Sequence, residues 1–443
     1  MTSPVATDRL AALIDARERA SNALLASEGD RIARICCDLA RAFSRGGVLV
    51  ADGCGSARVD AERIAAGFLR PETGADHARP ALGPVTYPAG AARIACLGRP
   101  DDVALAIAHG PADESVHAFL DEAGRRGSLR VAFLGPGGHA PQADHVLVVD
   151  CDDPRIVQEL QQTLGHVLPE LVELFLAEPS LLEEACITCG DVAVAGRVVA
   201  VEGYGAVIEC DGGREHVAID LVEDVVVGTL LLCHAGVALE RLPDDAPAPA
   251  EETAGRSLAA THGAAGVDAV FARVRDTLTQ WAAAADAVRR GIHITAIQSC
   301  AEAMRTRLEA GGRLVVFGDE RSASAVDDVV ADALESGWPA IALAGRTADE
   351  AFNEAALATL GRHGDIALAI AADDLPDGVV AALAQAHRRG MMTCVIAGPK
   401  AAGLARVDWS DELFVVDGHG TSCVQEGHTA IYHLLLDVIG GRT

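Results

Sequence analysis

Cysteines, histidines and glycine-rich turns are the residues of this chain whose types and spacing could do chemistry. Cys186 and Cys189 form a CxxC within CITCGD, ten and seven residues before Gly196. Such a pair is half of a zinc site, and Cys233 or His234 could supply the rest if the strands bring them together. Neighbours on a strand point to opposite faces, so at most one of these two reaches the CxxC readily. The plain alternative is two unpaired thiols at a domain junction. Two other stretches could hold an anion. Asp52-Gly53-Cys54-Gly55-Ser56-Ala57 and Gly318-Asp319-Glu320-Arg321-Ser322-Ala323 each lead from an apolar strand into a helix. A Gly/Ser turn at a helix N-terminus presents free N–H groups to a phosphate, which makes Gly53, Gly55, Ser56 and Ser322 the candidate contacts.

The elements that must position these turns occur twice. GGVLVADGCGSARVDAERIAA (46–66) parallels GGRLVVFGDERSASAVDDVVADA (311–333), and VQELQQTLGHVLPELVELFL (157–176) parallels VQEGHTAIYHLLLDVI (424–439). Between these landmarks each half reads strand, helix, strand: VALAIAHG through Arg126 to RVAFLG and HVLVVD, then IALAIAADD through Arg389 to TCVIAG and ELFVVD. Apolar strands alternating with helices predict a parallel sheet covered on both faces. Each copy spans about 170–180 residues, within the usual size of one domain. The middle differs. Asp191 to Leu242 carries short β-branched runs separated by Gly or Asp-Gly turns with no helical period, which predicts a small antiparallel barrel. PDDAPAPAEETAGRS (243–257) reads as a solvated linker. The expected domains are residues 1–180, 181–243, a linker over 244–259, and 260–443.

Composition narrows the partners. The chain has 443 residues with 64 acidic against 36 basic side chains, a formal charge of −28. Nucleic acid and anionic membranes need a cationic face, so neither is expected as the main partner. No run of 18 apolar residues occurs, and the N-terminus shows no secretory signal. Twelve cysteines are too sparse for a disulfide scaffold, which points to reduced thiols and a cytoplasmic protein.

The repeated halves resemble SIS (sugar isomerase) domains, and among these phosphoheptose isomerase. The shared features are the opening helix, the GG-strand, the Gly/Ser turn into a helix, and a closing helix with a QExHxxxxH pattern. The resemblance implies a flavodoxin-like α/β fold. It also implies a site in the second copy, where Asp328 and Asp332 stand at the family's His and Glu positions, with Gln425, His428 and His433 in the closing helix. Asp328, Asp332, Gln425 and His433 would then be a mixed oxygen and nitrogen metal site. Asp328, Asp332 and His433 would be its acid–base groups. The alternative is that the two carboxylates are solvated and His433 is an interface residue. The first copy keeps Gln158 and His166 but has Arg63 and Gly67 at the acid–base positions. It also has Ala108-His109-Gly110-Pro111 where the family has a serine-rich second loop.

The middle resembles the HypC/HupF family of [NiFe]-hydrogenase assembly chaperones. The matching residues are Gly196-Arg197-Val198-Val199, Cys210-Asp211-Gly212-Gly213, Ala218 to Val222, Val225 to Gly228, and His234 to Leu242. This implies an OB-like barrel that binds a HypD-like scaffold protein. It also implies help in carrying an iron with cyanide and carbon monoxide ligands to the hydrogenase large-subunit precursor. That family's essential cysteine follows the initiator Met. Here the barrel is internal, so Cys186 and Cys189 become the candidate iron ligands with His234 nearby, and zinc is the alternative metal.

Two functions follow. One is a maturation chaperone whose SIS domains pair within the chain, or as a homodimer, and serve as scaffold or sugar-phosphate sensor. The other is an aldose–ketose phosphate isomerase working from the second SIS copy.

Overall fold

The computed structural model describes residues 4–72, 75–85, 90–178, 182, 194–202, 205–210, 213–219, 222, 225–234, 237–242, 264–343, 351–404, 410–418 and 420–441. These fall into two compact units. One comprises Met1–Glu173 with Val274–Thr443, and the other is Leu174–Arg273.

The larger unit holds two five-stranded parallel sheets. The first has strands β1 (Leu49–Gly53), β2 (Ala81–Leu82), β3 (Val103–Ile107), β4 (Leu129–Leu134) and β5 (His145–Val148) in the order β2-β1-β3-β4-β5. Its helices are α1 (Pro4–Ser44), α2 (Ala57–Leu69), α3 (Gly90–Leu97), α4 (Glu114–Arg126) and α5 (Pro154–Leu176). The central strand β3 is apolar at every position because helices cover both faces, as a doubly wound sheet requires. The paired glycines ahead of β1 have separate tasks. Gly46 turns the chain at φ +83°, and a Cβ on Gly47 would sit 1.9 Å from the Asp101 carbonyl oxygen.

The smaller unit holds β6 (Val194–Glu202), β7 (Gly205–Cys210), β8 (Gly213–Ala218), β9 (Leu230–His234) and β10 (Val237–Leu242), closed in the order β10-β8-β7-β6-β9. Val198, Ala206, Ile208, Val217, Leu231, Cys233 and Ala238 fill its core. Four of the pairings are antiparallel, but β8 and β10 pair in parallel at Ala218 and Val237. The one parallel closure in this otherwise antiparallel barrel has a simple reason. Five strands in a closed ring cannot alternate direction all the way round, so one neighbouring pair must run the same way.

The second sheet returns in the larger unit after α6 (Ala264–Arg290) and α7 (Ile294–Glu309). It is built from β11 (Leu314–Gly318), β12 (Ala340–Ala342), β13 (Ile366–Ala371), β14 (Met392–Ala397) and β15 (Glu412–Val415), in the order β12-β11-β13-β14-β15. Helices α8 (Ala323–Glu335), α9 (Ala351–Leu360), α10 (Asp377–Arg388) and α11 (Thr421–Ile439) accompany it. The glycine pair recurs. Gly311 has φ +90°, and a Cβ on Gly312 would meet the Gly364 carbonyl oxygen at 2.4 Å. So does the buried aspartate beside it: Asp102 accepts from Val48 N–H at 2.8 Å, and Asp365 from Arg313 N–H at 2.9 Å.

The copies share more than a pattern. The N-terminal turns of α1 put Leu10 and Ile14 into the core of the second copy, beside Ile297, Met304 and Tyr432. Further along, the same helix packs against β4 and β5 of the first. At 41 residues α1 is about 60 Å long, enough to serve both copies. Helices α2 and α8 also pack on one another.

Candidate functional site

The structure brings Asp328, Asp332 and His433 together and surrounds them with charge from the other copy. Asp328 and Asp332 lie on one face of α8, and both are buried. Arg63 of α2 reaches across to Asp328 Oδ2 at 2.5 Å and holds Asp60 Oδ1 at 2.6 Å with its other amine. Tyr432 Oη donates to the same Asp328 oxygen at 3.4 Å. Burial, opposed by Arg63 and aided by the Asp60 and Asp332 charges, pushes the Asp328 carboxyl up to about 7.

His433 Nδ1 meets Glu159 Oε1 of α5 at 2.7 Å, and its Nε2 lies 3.3 Å from Asp332 Oδ2 as an ion pair. Burial works against the imidazolium, but Asp332 and Glu159 outweigh it and raise His433 to about 9. Glu159 is wholly buried. Desolvation alone would raise it, yet Arg17, His433 and Arg289 together hold it at about 2. Arg17 Nε contacts both Glu159 oxygens at 2.9 Å, and Arg289 Nε lies 3.6 Å away. Arg155 pairs with Asp437 and lies 3.7 Å from Asp332. Gln425 stands apart, its amide donating to the Arg321 carbonyl at 3.2 Å. His428 is buried in α11 and falls to about 4 through burial, offset in part by a hydrogen bond to Ala397.

Charge balance decides what this cluster accommodates. Arg63, Arg155 and protonated His433 already supply positive charge to Asp328 and Asp332, so a metal cation does not fit the set. Among the described residues no group of three or more His, Cys, Asp or Glu is arranged to hold a metal ion. The sequence places Arg63 at an acid–base position of the first copy but does not show that it, Arg155 or Glu159 meets the second copy. A usable signal was present all the same, because Gln158-Glu159 and Gln425-Glu426 stand at equivalent places in the closing helices. His166 Nδ1 meets Glu426 Oε1 at 3.2 Å, the reciprocal of the His433–Glu159 pair.

The two anion turns have diverged. In the first, Gly55 is exposed with φ +56° and Ser56 opens α2, its hydroxyl 3.3 Å from His109 Nδ1. Gly53 ends β1, its N–H donating to Asp52 Oδ1 at 2.9 Å. In the second, the protein provides its own anion. Asp319 accepts from Ser322 N–H at 2.9 Å and from Ala372 N–H at 3.3 Å, while Ser322 itself is buried. Donors that would face a phosphate are therefore taken by a carboxylate.

Cys186 and Cys189 lie outside the described residues, as does the 244–259 linker. His234 ends β9 in register with Val237 of β10, and Cys233 is buried in the barrel core.

This pair of doubly wound domains, with the two turns at the carboxyl edge, has the tandem SIS fold. The C-terminal domain of glucosamine-fructose-6-phosphate aminotransferase from Francisella tularensis shares the fold. The two superpose with a TM-score of 0.53 at 10% identity, covering 96% of this chain and 93% of that one. The chain belongs to the phosphoheptose isomerase family. It is 30% identical over 188 residues to the phosphoheptose isomerase of Roseiflexus sp. (strain RS-1), covering 39% of this chain and 93% of that protein. It is also 30% identical over 156 residues to the enzyme of Desulfovibrio desulfuricans (strain ATCC 27774 / DSM 6949 / MB), covering 32% and 74%. Residues 192–254 match the model of the HupF/HypC family. Among the described residues no helix is long and apolar enough to cross a membrane.

Proposed function

We propose that this protein is a [NiFe]-hydrogenase maturation chaperone. In this reading the barrel engages a HypD-like scaffold protein and the hydrogenase large-subunit precursor, and it carries the iron–cyanide–carbonyl unit between them as cargo. The observation that carries the reading is the HupF/HypC match over residues 192–254. The strand order of the barrel supports an OB-like module, with its single parallel closure between the third and fifth strands. Cys186 and Cys189 are assigned as soft thiolate ligands for the iron, with His234 at the end of β9 as the nearby imidazole. The SIS pair is the scaffold. Its Asp328, Asp332 and His433 are consumed in salt bridges to Arg63, Arg155 and Glu159 of the other copy, an arrangement that favours a rigid platform over an isomerase acting through these residues.

The test is metal analysis with an infrared spectrum of protein purified anaerobically from its own host. Iron with cyanide and carbonyl bands, lost in Cys186→Ala or Cys189→Ala, is the expected result. Zinc without diatomic bands would make the CxxC structural. Turnover of a heptose phosphate, abolished by His433→Gln, would replace the chaperone reading with the isomerase one.

A further inference from the structure

A second constellation lies at the carboxyl edge of the first sheet, and the chaperone reading does not use it. β1 and β3 are neighbouring parallel strands, in register from Leu49 with Val103 to Gly53 with Ile107. Their carboxyl ends therefore deliver the Ser56 turn and His109 to the same crevice, where ligands bind in doubly wound folds. Ser56 Oγ is 3.3 Å from His109 Nδ1, and His109 Nε2 is 2.7 Å from Asp60 Oδ2. Ser56 and Asp60 are four residues apart at the start of α2, so one helical turn aims both at the imidazole. Asp60 is fully buried, and its other oxygen is fixed by Arg63. Ser56 and the His109 ring remain partly exposed.

We propose that Ser56 is a nucleophile, His109 its general base and Asp60 the residue that orients the imidazole, in a site that hydrolyses a small uncharged carboxylic ester. The roles follow from the contacts. The Asp60 carboxylate takes the Nε2–H, which leaves the Nδ1 lone pair facing the serine hydroxyl. Ser56 Oγ adds to the ester carbonyl carbon as its proton passes to Nδ1, and the carbonyl π electrons move onto oxygen. Collapse breaks the ester C–O bond, and the alcohol leaves with the proton from His109. Water then attacks the acyl-serine, giving one proton to Nδ1 and, through it, back to Ser56, so that ester and water become acid and alcohol. The N–H groups of Gly55 and Ser56 make no hydrogen bond among the described residues, and they lie at the N-terminus of α2, where an oxyanion would be stabilised.

An uncharged substrate fits better than a phosphate. Arg58 is paired with Asp52 at 3.1 Å, Arg63 is paired with Asp60 and Asp328, and Asp60 adds negative charge behind the imidazole. The second copy provides an internal control. The 265-residue separation that relates Arg63 to Asp328 also relates Gly53 to Gly318, and it places Arg321 and Ala325 opposite Ser56 and Asp60. The strand register places Ala372 opposite His109. None of the three groups is repeated.

The full-length protein is tested with a fluorophosphonate probe and with p-nitrophenyl acetate. One label per chain on Ser56, located by peptide mass spectrometry, and an acetyl burst of the same stoichiometry are expected. Ser56→Ala should abolish both, whereas the exposed Ser115→Ala should change neither. His109→Ala should slow labelling by about 10²–10⁴-fold while circular dichroism stays native. The proposal fails if folded protein is not labelled, if label spreads over several serines, or if His109→Ala labels at the parent rate. Thermal stabilisation by inorganic phosphate that is lost in Ser56→Ala, without any covalent labelling, would make Ser56 an anion contact only, and that also overturns it. None of these outcomes depends on iron or on the barrel.

Discussion

The two SIS copies have the same strand order, the same glycine pair and the same buried aspartate at the foot of the sheet, yet they differ wherever they face a ligand or each other. The first keeps an open turn with Ser56, Asp60 and His109. The second fills its turn with Asp319 and buries Ser322. At the contact between copies, equivalent positions have become complementary. Arg63 meets Asp328, and the two closing helices exchange His–Glu pairs whose surroundings are unequal. Glu159 gathers two arginines and a histidine, whereas Glu426 pairs with His166. Backbone constraints hold both copies to one fold, and side chains that touch the partner or a ligand are free to part ways.

The largest way to break this comparison is at Arg63. Arg63→Ala leaves the Asp60 and Asp328 carboxylates buried without their cation. It should cost about 3–5 kcal/mol, read as a lower denaturant midpoint at neutral pH. The exchange Arg63→Asp with Asp328→Arg should recover part of that loss, and no recovery would show that Asp60 fixes the polarity of the pair.

Next comes the contrast between the closing helices. Glu159→Gln should lose more stability than Glu426→Gln, the latter costing about 1–3 kcal/mol as a weakened hydrogen bond to His166. Equal losses would contradict the asymmetry. The pH profile sharpens it. His433 titrates near 6.5 when unperturbed and at about 9 in the fold. The folded state thus binds the proton more tightly, and this stabilisation is fully present below about 6.5 and lost as pH rises through about 9. A melting series across that window should show the decline in the parent protein, and an earlier decline in Glu159→Gln.

The smallest effect compares two helix starts. Asp113 caps α4 by accepting from Val116 N–H at 3.0 Å, whereas α10 begins after Pro376 with no side-chain cap. Asp113→Ala should cost about 1 kcal/mol. Pro376→Ala should cost less, as thermal melts would show.

Much of the fold is legible in the sequence because parallel strands buried on both faces must be continuously apolar. VALAI and IALAIA could hardly be anything else once a Gly-Gly-strand-turn-helix pattern precedes each. The grouping of Asp328, Asp332 and His433 is implied by the resemblance to phosphoheptose isomerase, whose turn-helix and closing-helix patterns carry these positions. What they do there is not legible, because Arg63, Arg155 and Glu159 come from the other copy, and no local pattern encodes a contact across 265 residues. His109 is visible only as a serine lost from a loop. Its value appears once β1 and β3 are set side by side. The parallel closure of the barrel follows from counting strands, which the turn pattern does not do.

The pairing of Arg63 with Asp328 has a consequence for heredity as well as for stability. In a symmetric dimer each substitution arrives twice, so a residue near the axis confronts a copy of itself, and a lone charge there would repel its twin. Joining the two halves in one chain removes that restriction, since each half mutates alone. It also makes the encounter intramolecular, so the halves do not part on dilution as two separate subunits would. Two halves of one chain can thus take on interfaces closed to a symmetric dimer, and an open serine turn in one half can be kept while the turn of the other half is filled by its own Asp319.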